Sequence, residues 1–273
     1  MAEPFLVLGA MKSGTTTLHE VLGRHPAVDV VTEKEANSLH NPRTARRLAL
    51  AIRESPAAVA GEVTAGYLQA PLLEQPARAA VGLLGHGLRG IAIVRDPFTR
   101  AVSHWQHWTA IGREDRELQV ALLEEGSPYV AFSSYHRQLL PWVENLGAKQ
   151  IHVLRLEAYH RSPAAALLPL WEFLGVTDAG HDEVPVHANA ADNRQIASGL
   201  RGSFARSRLY RAWLRPVLPA RARRSAAGSA RVPSRAPATN VERAALRDGF
   251  MSLVADDQLL LAAAWPSLRS ADE

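Results

Sequence analysis

Residues 5–18 are Phe5-Leu-Val-Leu-Gly-Ala-Met-Lys-Ser-Gly-Thr-Thr-Thr-Leu18, and their order decides the fold. Phe5–Leu8 is a short apolar run of a length that suits a buried parallel strand rather than a helix. Gly9–Gly14 follows with a glycine at each end, so the backbone can turn tightly and approach a ligand closely. From Thr15 the period becomes helical, with Leu18, Val21 and Leu22 on one face and His25-Pro26 as the stop. Strand, glycine loop and helix N-terminus in that order make an anion site, because free N–H groups and the helix dipole both face the loop. Lys12 adds a full positive charge, and Thr15, Thr16 and Thr17 add hydroxyl donors. The chain has three lysines (Lys12, Lys34, Lys149) among 31 basic residues, which argues against an incidental lysine at the loop tip.

A second anchor is Gly90-Ile-Ala-Ile-Val-Arg-Asp-Pro97. Its apolar residues predict a buried strand. Asp96 can cap a helix whose first position is Pro97, the favoured place for proline. Counting along that helix places Ala101, Trp105 and Trp108 on a core stripe, with Arg100, Ser103, His104 and His107 on the other face. The Gly9-x4-Gly14 spacing is that of the nucleoside-triphosphatase loop. Thr15-Thr16, however, stand where that loop carries its lysine.

Lys12-Ser13-Gly14-Thr15-Thr16 after an apolar strand resembles the 5′-phosphosulfate loop of sulfotransferases that use 3′-phosphoadenosine-5′-phosphosulfate (PAPS). Arg95, with Ser103 eight residues on, resembles their 3′-phosphate motif. A helix from Tyr135 to Trp142, an apolar strand over 151–156 closing with Glu157, and a helix over 164–174 ending at Gly175 are similar in order to the bacterial members. The resemblance covers about residues 4–176 and, more loosely, a C-terminal helix around 241–265. It implies that Lys12, Ser13, Gly14, Thr15, Thr16 and Thr17 hold the phosphosulfate, and that Arg95 and Ser103 hold the 3′-phosphate. It further implies adenosine 3′,5′-bisphosphate (PAP) as product, no required metal, and a hydroxyl acceptor on a small molecule or carbohydrate, such as a bacterial natural product.

In heparan-modifying and bacterial carbohydrate sulfotransferases the base is a glutamate just after the second strand. Glu35, following Lys34, occupies the matching place and joins Lys12 as a catalytic candidate. Glu33 competes, since i and i+2 share a side in an extended segment. His40, His104 and His107 are fallback bases, as in the cytosolic relatives. Two departures lie on the acceptor side. Asn37-Ser38-Leu39 stand where the family often has aromatic residues. Glu62-Val63-Thr64-Ala65-Gly66-Tyr67 replaces a Glu-Lys-Ser/Thr-Pro-x-Tyr pattern. The acceptor class is therefore not carried over from the sugar-modifying relatives.

These anchors predict a doubly wound α/β fold with a P-loop-like parallel sheet, strands near 5–8, 58–62, 90–94 and 151–155, and flanking helices. The chain of 273 residues is long enough for one such domain, 1–273. Residues 201–235 hold ten arginines and no acidic residue, so the stretch 200–238 is expected to be a basic insertion, an acceptor lid or an anionic-surface contact. Cysteine is absent, which excludes disulfides and thiolate catalysis. No run approaches the ~20 apolar residues of a membrane span, so a soluble cytoplasmic enzyme is expected. A net charge of +4 suits an anionic cofactor without implying nucleic acid. Two rivals remain: a kinase or nucleotidase with Asp96 as magnesium ligand, and a non-catalytic nucleotide-binding relative.

Overall fold

Strands whose two faces are both apolar need helices on both sides, and the chain supplies them. The computed structural model describes residues 1–72, 76–177 and 240–268. β1 (Glu3–Gly9), α1 (Thr15–Arg24), β2 (Val28–Val30), α2 (Pro42–Glu54), β3 (Val59–Val63) and α3 (Ala77–Leu84) form the first half. Then come β4 (Arg89–Val94), α4 (Pro97–Ala110), α5 (Leu118–Leu123), α6 (Pro128–Ala131), α7 (Tyr135–Leu146), β5 (Ile151–Arg155), α8 (Leu156–Arg161) and α9 (Pro163–Leu174). The last long helix is α10 (Asn240–Ala264). The basic stretch 200–238 expected as a lid or insertion lies outside the described residues.

All strand pairs are parallel, in the order β2-β3-β1-β4-β5. The chain fills one side of β1 first and then crosses to the other, so β1 sits at the reversal. In open α/β sheets ligands bind outside the carboxyl ends of the strands at this switch point. The loop Gly9–Gly14 leaves β1 there. Alternation divides the strand residues between two cores. Leu6, Leu8, Ala92, Val94, Ile151 and Val153 pack under α2, α3 and α7 with Leu48, Ile52, Leu139 and Trp142. Phe5, Val7, Ile91, Ile93 and Leu154 pack under α1 and α9 with Leu18, Leu22, Leu170 and Trp171. Each such fully buried aliphatic side chain contributes roughly 1.5–3 kcal/mol. β1 and β3 approach so closely that a Cβ on Gly61 would lie 2.0 Å from the Phe5 carbonyl oxygen, so this position admits glycine alone.

α4 differs from its sequence reading. Its face was expected to put Arg100 and His104 opposite the core; both are fully buried, while Trp108 is half-buried. The reason is tertiary. α5, α6 and α10 close over α4 and form a third cluster around Phe98, Ala101, Trp105, Tyr129 and Phe250. A helix covered on more than one side has no solvent face for the periodicity to report.

Candidate active site

The loop after β1 is held by its neighbours. Ala10 N–H donates to the Ile93 carbonyl at 2.8 Å, and Ser13 N–H to the Ala10 carbonyl at 3.2 Å. Gly14 is the N-cap of α1, with φ 97° and no capping side chain. That left-handed conformation suits glycine, and the first-turn N–H groups of α1 therefore have no side-chain cap. Lys12 is also left-handed, at φ 69°, and is half-buried. Ser13, Thr15 and Thr17 are buried and Thr16 is exposed. An uncapped helix N-terminus behind a turned loop is the geometry that receives a phosphate or sulfate group.

Arg95 leaves the carboxyl end of β4, beside β1. Its Nη1 donates to the Lys12 carbonyl at 3.3 Å, so the two candidate phosphate motifs touch. The Tyr135 hydroxyl donates to the Arg95 carbonyl at 2.9 Å. Glu157 Oε1 accepts the Asp96 N–H at 2.8 Å. Asp96 caps α4 by accepting from Thr99 N–H at 2.8 Å, and Arg247 of α10 donates to both of its carboxylate oxygens, at 2.9 and 2.7 Å. Burial alone would raise the Asp96 carboxyl; the Arg247 and Thr99 hydrogen bonds outweigh it and hold the group below the usual carboxylate range. Ser103 lies in the second turn of α4, half-buried.

Beneath this end lies the buried Arg100. It donates to Ser133 Oγ and the Tyr129 carbonyl, both at 2.8 Å, and its Nη1 is 3.4 Å from His104 Nδ1. All three partners are neutral. Burial pushes the guanidinium down to about 10, so it stays charged at neutral pH. Burial, reinforced by Arg100, drives His104 down to about 2. That ring is neutral and sealed among Trp108, Tyr129 and Phe132, where it cannot take a proton from an external acceptor.

Glu35 sits at the carboxyl end of β3, the strand next to β1. Its Oε2 accepts from Ala65 N–H at 2.9 Å and Thr64 Oγ1 at 3.3 Å, and Lys34 Nζ donates to its Oε1 at 2.7 Å. The backbone joins in, with Glu35 N–H donating to the Val63 carbonyl at 3.1 Å. Its neighbour two residues back does not share this place. Glu35 has φ 62° and Asn37 φ 52°, so the segment is not extended and the i, i+2 rule fails. Glu33 instead lines a lateral groove of about 930 Å³ beside β2 with Val30, Thr32 and Lys34. His40 is exposed and its ring rests 5.4 Å from that of Tyr67.

Sequence reasoning missed the contacts that join distant segments here. Glu62 is fully buried, and its Oε1 accepts from Tyr67 Oη at 2.8 Å and Ser38 N–H at 3.1 Å. The Glu62-x4-Tyr67 spacing was visible as part of the family pattern, but not that it pins the loop after Glu35. Arg247 and Tyr135 carried no local signal of where their side chains end.

The sulfotransferase domain model matches residues 2–189. The chain belongs to the sulfotransferase family. It is 25% identical over 183 residues to the mouse heparan sulfate glucosamine 3-O-sulfotransferases 3B1 and 3A1, an overlap of 63% of this chain and 45% of each of those proteins. The chain thus spans about half the length of these curated relatives. In three dimensions it is similar to a sulfotransferase from Alicyclobacillus acidocaldarius, with a TM-score of 0.63, 18% identity and 96% of each chain covered. That likeness carries the P-loop-like α/β fold. The kinase reading loses its metal ligand, because Asp96 is already committed to a helix cap and a two-pronged arginine contact. Among the described residues no group of three or more His, Cys, Asp or Glu could hold a metal ion, and no helix is long and apolar enough to cross a membrane.

Proposed function

We propose that this sulfotransferase moves a sulfuryl group from PAPS to a hydroxyl of a small-molecule or carbohydrate acceptor. The observation that carries it is the contact of Arg95 with the Lys12 carbonyl. It sets a fork-shaped cation and an uncapped helix N-terminus side by side at the switch point, as a ligand with two separated anionic groups requires.

The residues fit that ligand. Lys12 and the N–H groups around Gly14–Thr17, with Ser13, Thr15, Thr16 and Thr17 hydroxyls, would hold the phosphosulfate. Arg95 offers two parallel donors to the 3′-phosphate and Ser103 a single one. Bound there, PAPS supplies an activated sulfuryl group. Glu35 accepts the proton of the acceptor hydroxyl while that oxygen bonds to sulfur and the sulfur–oxygen bond to the 5′-phosphate breaks. Lys12 meets the charge that develops on the leaving phosphate, leaving PAP. No residue in this scheme calls for a metal.

Calorimetric titration with PAP, and separately with ATP and magnesium, tests the binding half. PAP is expected to bind and ATP–magnesium to bind far more weakly; the reverse order would overturn the proposal. Incubation with PAPS and candidate hydroxyl acceptors, read by mass spectrometry for the gain of one SO₃ unit, tests turnover. Tight PAP binding with no transfer to any acceptor, alongside no hydrolysis of PAPS, would move the chain to a non-catalytic binder.

A further inference from the structure

We propose that Tyr135 and Glu157 are positioning residues for the 3′-phosphate site, clamping the Arg95–Asp96 peptide so that the Arg95 guanidinium is aimed before ligand arrives. This rests on the assignment of Arg95 above. The peptide lies where regular structure leaves it without partners. β4 pairs with β5 as far as Val94 with Arg155, and α4 begins at Pro97. The Arg95 carbonyl therefore lies past the last pair of the sheet, and the Asp96 N–H belongs to the residue before the helix. Both need side-chain partners, since a buried backbone polar group left unpaired loses its hydration without compensation.

Each finds one from a different segment. Tyr135, fully buried at the start of α7, donates its hydroxyl to the carbonyl at 2.9 Å. Glu157, in the first turn of α8, accepts the N–H at 2.8 Å. With both polar atoms of one peptide fixed, the plane from which the Arg95 side chain departs is fixed too. The far end of that side chain is held by the Lys12 carbonyl. Asp96 is anchored separately, through Thr99 and Arg247. Burial pushes the Tyr135 phenol up to about 12, while Arg100 and Ser13 pull the other way. The hydroxyl thus remains a donor across the physiological range. A fixed departure plane, with the guanidinium held at the Lys12 carbonyl, removes part of the ordering that binding would otherwise cost and shows itself as affinity.

The test is a double-mutant cycle read with two ligands, PAP and adenosine 5′-phosphate, which lacks the group Arg95 holds. Tyr135→Phe keeps the ring and its packing. It is expected to weaken PAP about 10-fold, the loss of one buried hydrogen bond, and to leave adenosine 5′-phosphate within about 2-fold. On an Arg95→Ala background the same change should cost PAP nothing further, because the residue it positions is gone. Glu157→Ala should behave like Tyr135→Phe. Glu157→Gln, whose amide oxygen still accepts the Asp96 N–H, should restore PAP affinity.

Equal losses with both ligands, an equal loss on the Arg95→Ala background, or no loss of PAP affinity in Tyr135→Phe would each overturn the clamp. If Arg95→Ala selectively weakens PAP while Tyr135→Phe does not, the inference alone falls. If wild-type protein does not bind PAP, the functional reading falls first.

Discussion

The two ends of the site are built differently. At the proposed cofactor end, the turn from β4 into α4 is tied to α7, α8 and α10 by the side chains of Tyr135, Glu157 and Arg247, and to the Lys12 loop by its own Arg95, above the buried Arg100. At the proposed acceptor end, Glu35 is exposed and its carboxylate is held by a single backbone N–H, one threonine hydroxyl and the lysine beside it. A ligand shared by a family rewards a rigid, over-determined cradle. A variable acceptor needs a base on an adaptable loop. That contrast is consistent with a chain that matches the family pattern at both proposed phosphate motifs and departs from it at Asn37–Leu39, Val63 and Ala65.

That division predicts that mutations at the two ends separate into rate and affinity effects. The largest effect is expected at Glu35. Glu35→Gln keeps size and polarity but cannot accept a proton, so kcat should fall ~10²–10⁴-fold. PAP affinity should hardly change. Glu33→Gln, in the lateral groove, should be mild. Steady-state kinetics with calorimetric PAP titration reads both, and a Glu35→Gln enzyme that turns over normally would remove the base from this end.

Lys12→Ala comes next. Losing a charge that pairs with a bound anion should weaken PAP by ~2–4 kcal/mol, measured by calorimetry; an unchanged affinity would mean the lysine faces elsewhere.

Gly14→Ala sharpens the contrast through backbone alone. An L-residue forced to left-handed φ costs ~1–2 kcal/mol, and its Cβ would stand 2.6 Å from Leu156 Cδ1. Thermal denaturation should register that destabilisation, with PAP binding lowered beside it.

The smallest effect is expected from Arg247. Its contact with Asp96 is partly exposed, so Arg247→Ala should cost no more than ~1 kcal/mol. The Asp96 carboxyl is held below its unfolded value of 3.8. Its contribution is thus present above that value and is lost as pH falls through the lower folded one. Acid denaturation curves of wild type and Asp96→Asn, which keeps the cap acceptor and removes the charge, should diverge above pH 3.8 and converge below; parallel curves would show that the carboxylate charge contributes nothing.

Much of this molecule was legible along the chain. The expected strands near 5–8, 58–62, 90–94 and 151–155 are β1, β3, β4 and β5, and the helix ends at Pro97 and Gly175 lie where capping chemistry puts them. These are local properties: a run of apolar residues, a glycine or a proline acts through its own backbone and its immediate neighbours. The strand–loop–helix unit around Gly9–Gly14 belongs to the same class, because its parts are contiguous in sequence.

Tertiary structure alone decided the rest. Arg100 and His104 read as solvent-facing from the period of α4, and became core because α5, α6 and α10 close over that helix. Glu33 and Glu35 were equivalent by spacing, and were separated by a left-handed backbone at Glu35 and by the offered N–H of Ala65, thirty residues on. The hold on Arg95 comes from Tyr135 and Glu157, forty and more residues away. Burial from several sides and hydrogen bonds between distant segments leave no periodic trace in sequence, because each depends on which elements the sheet order brings together.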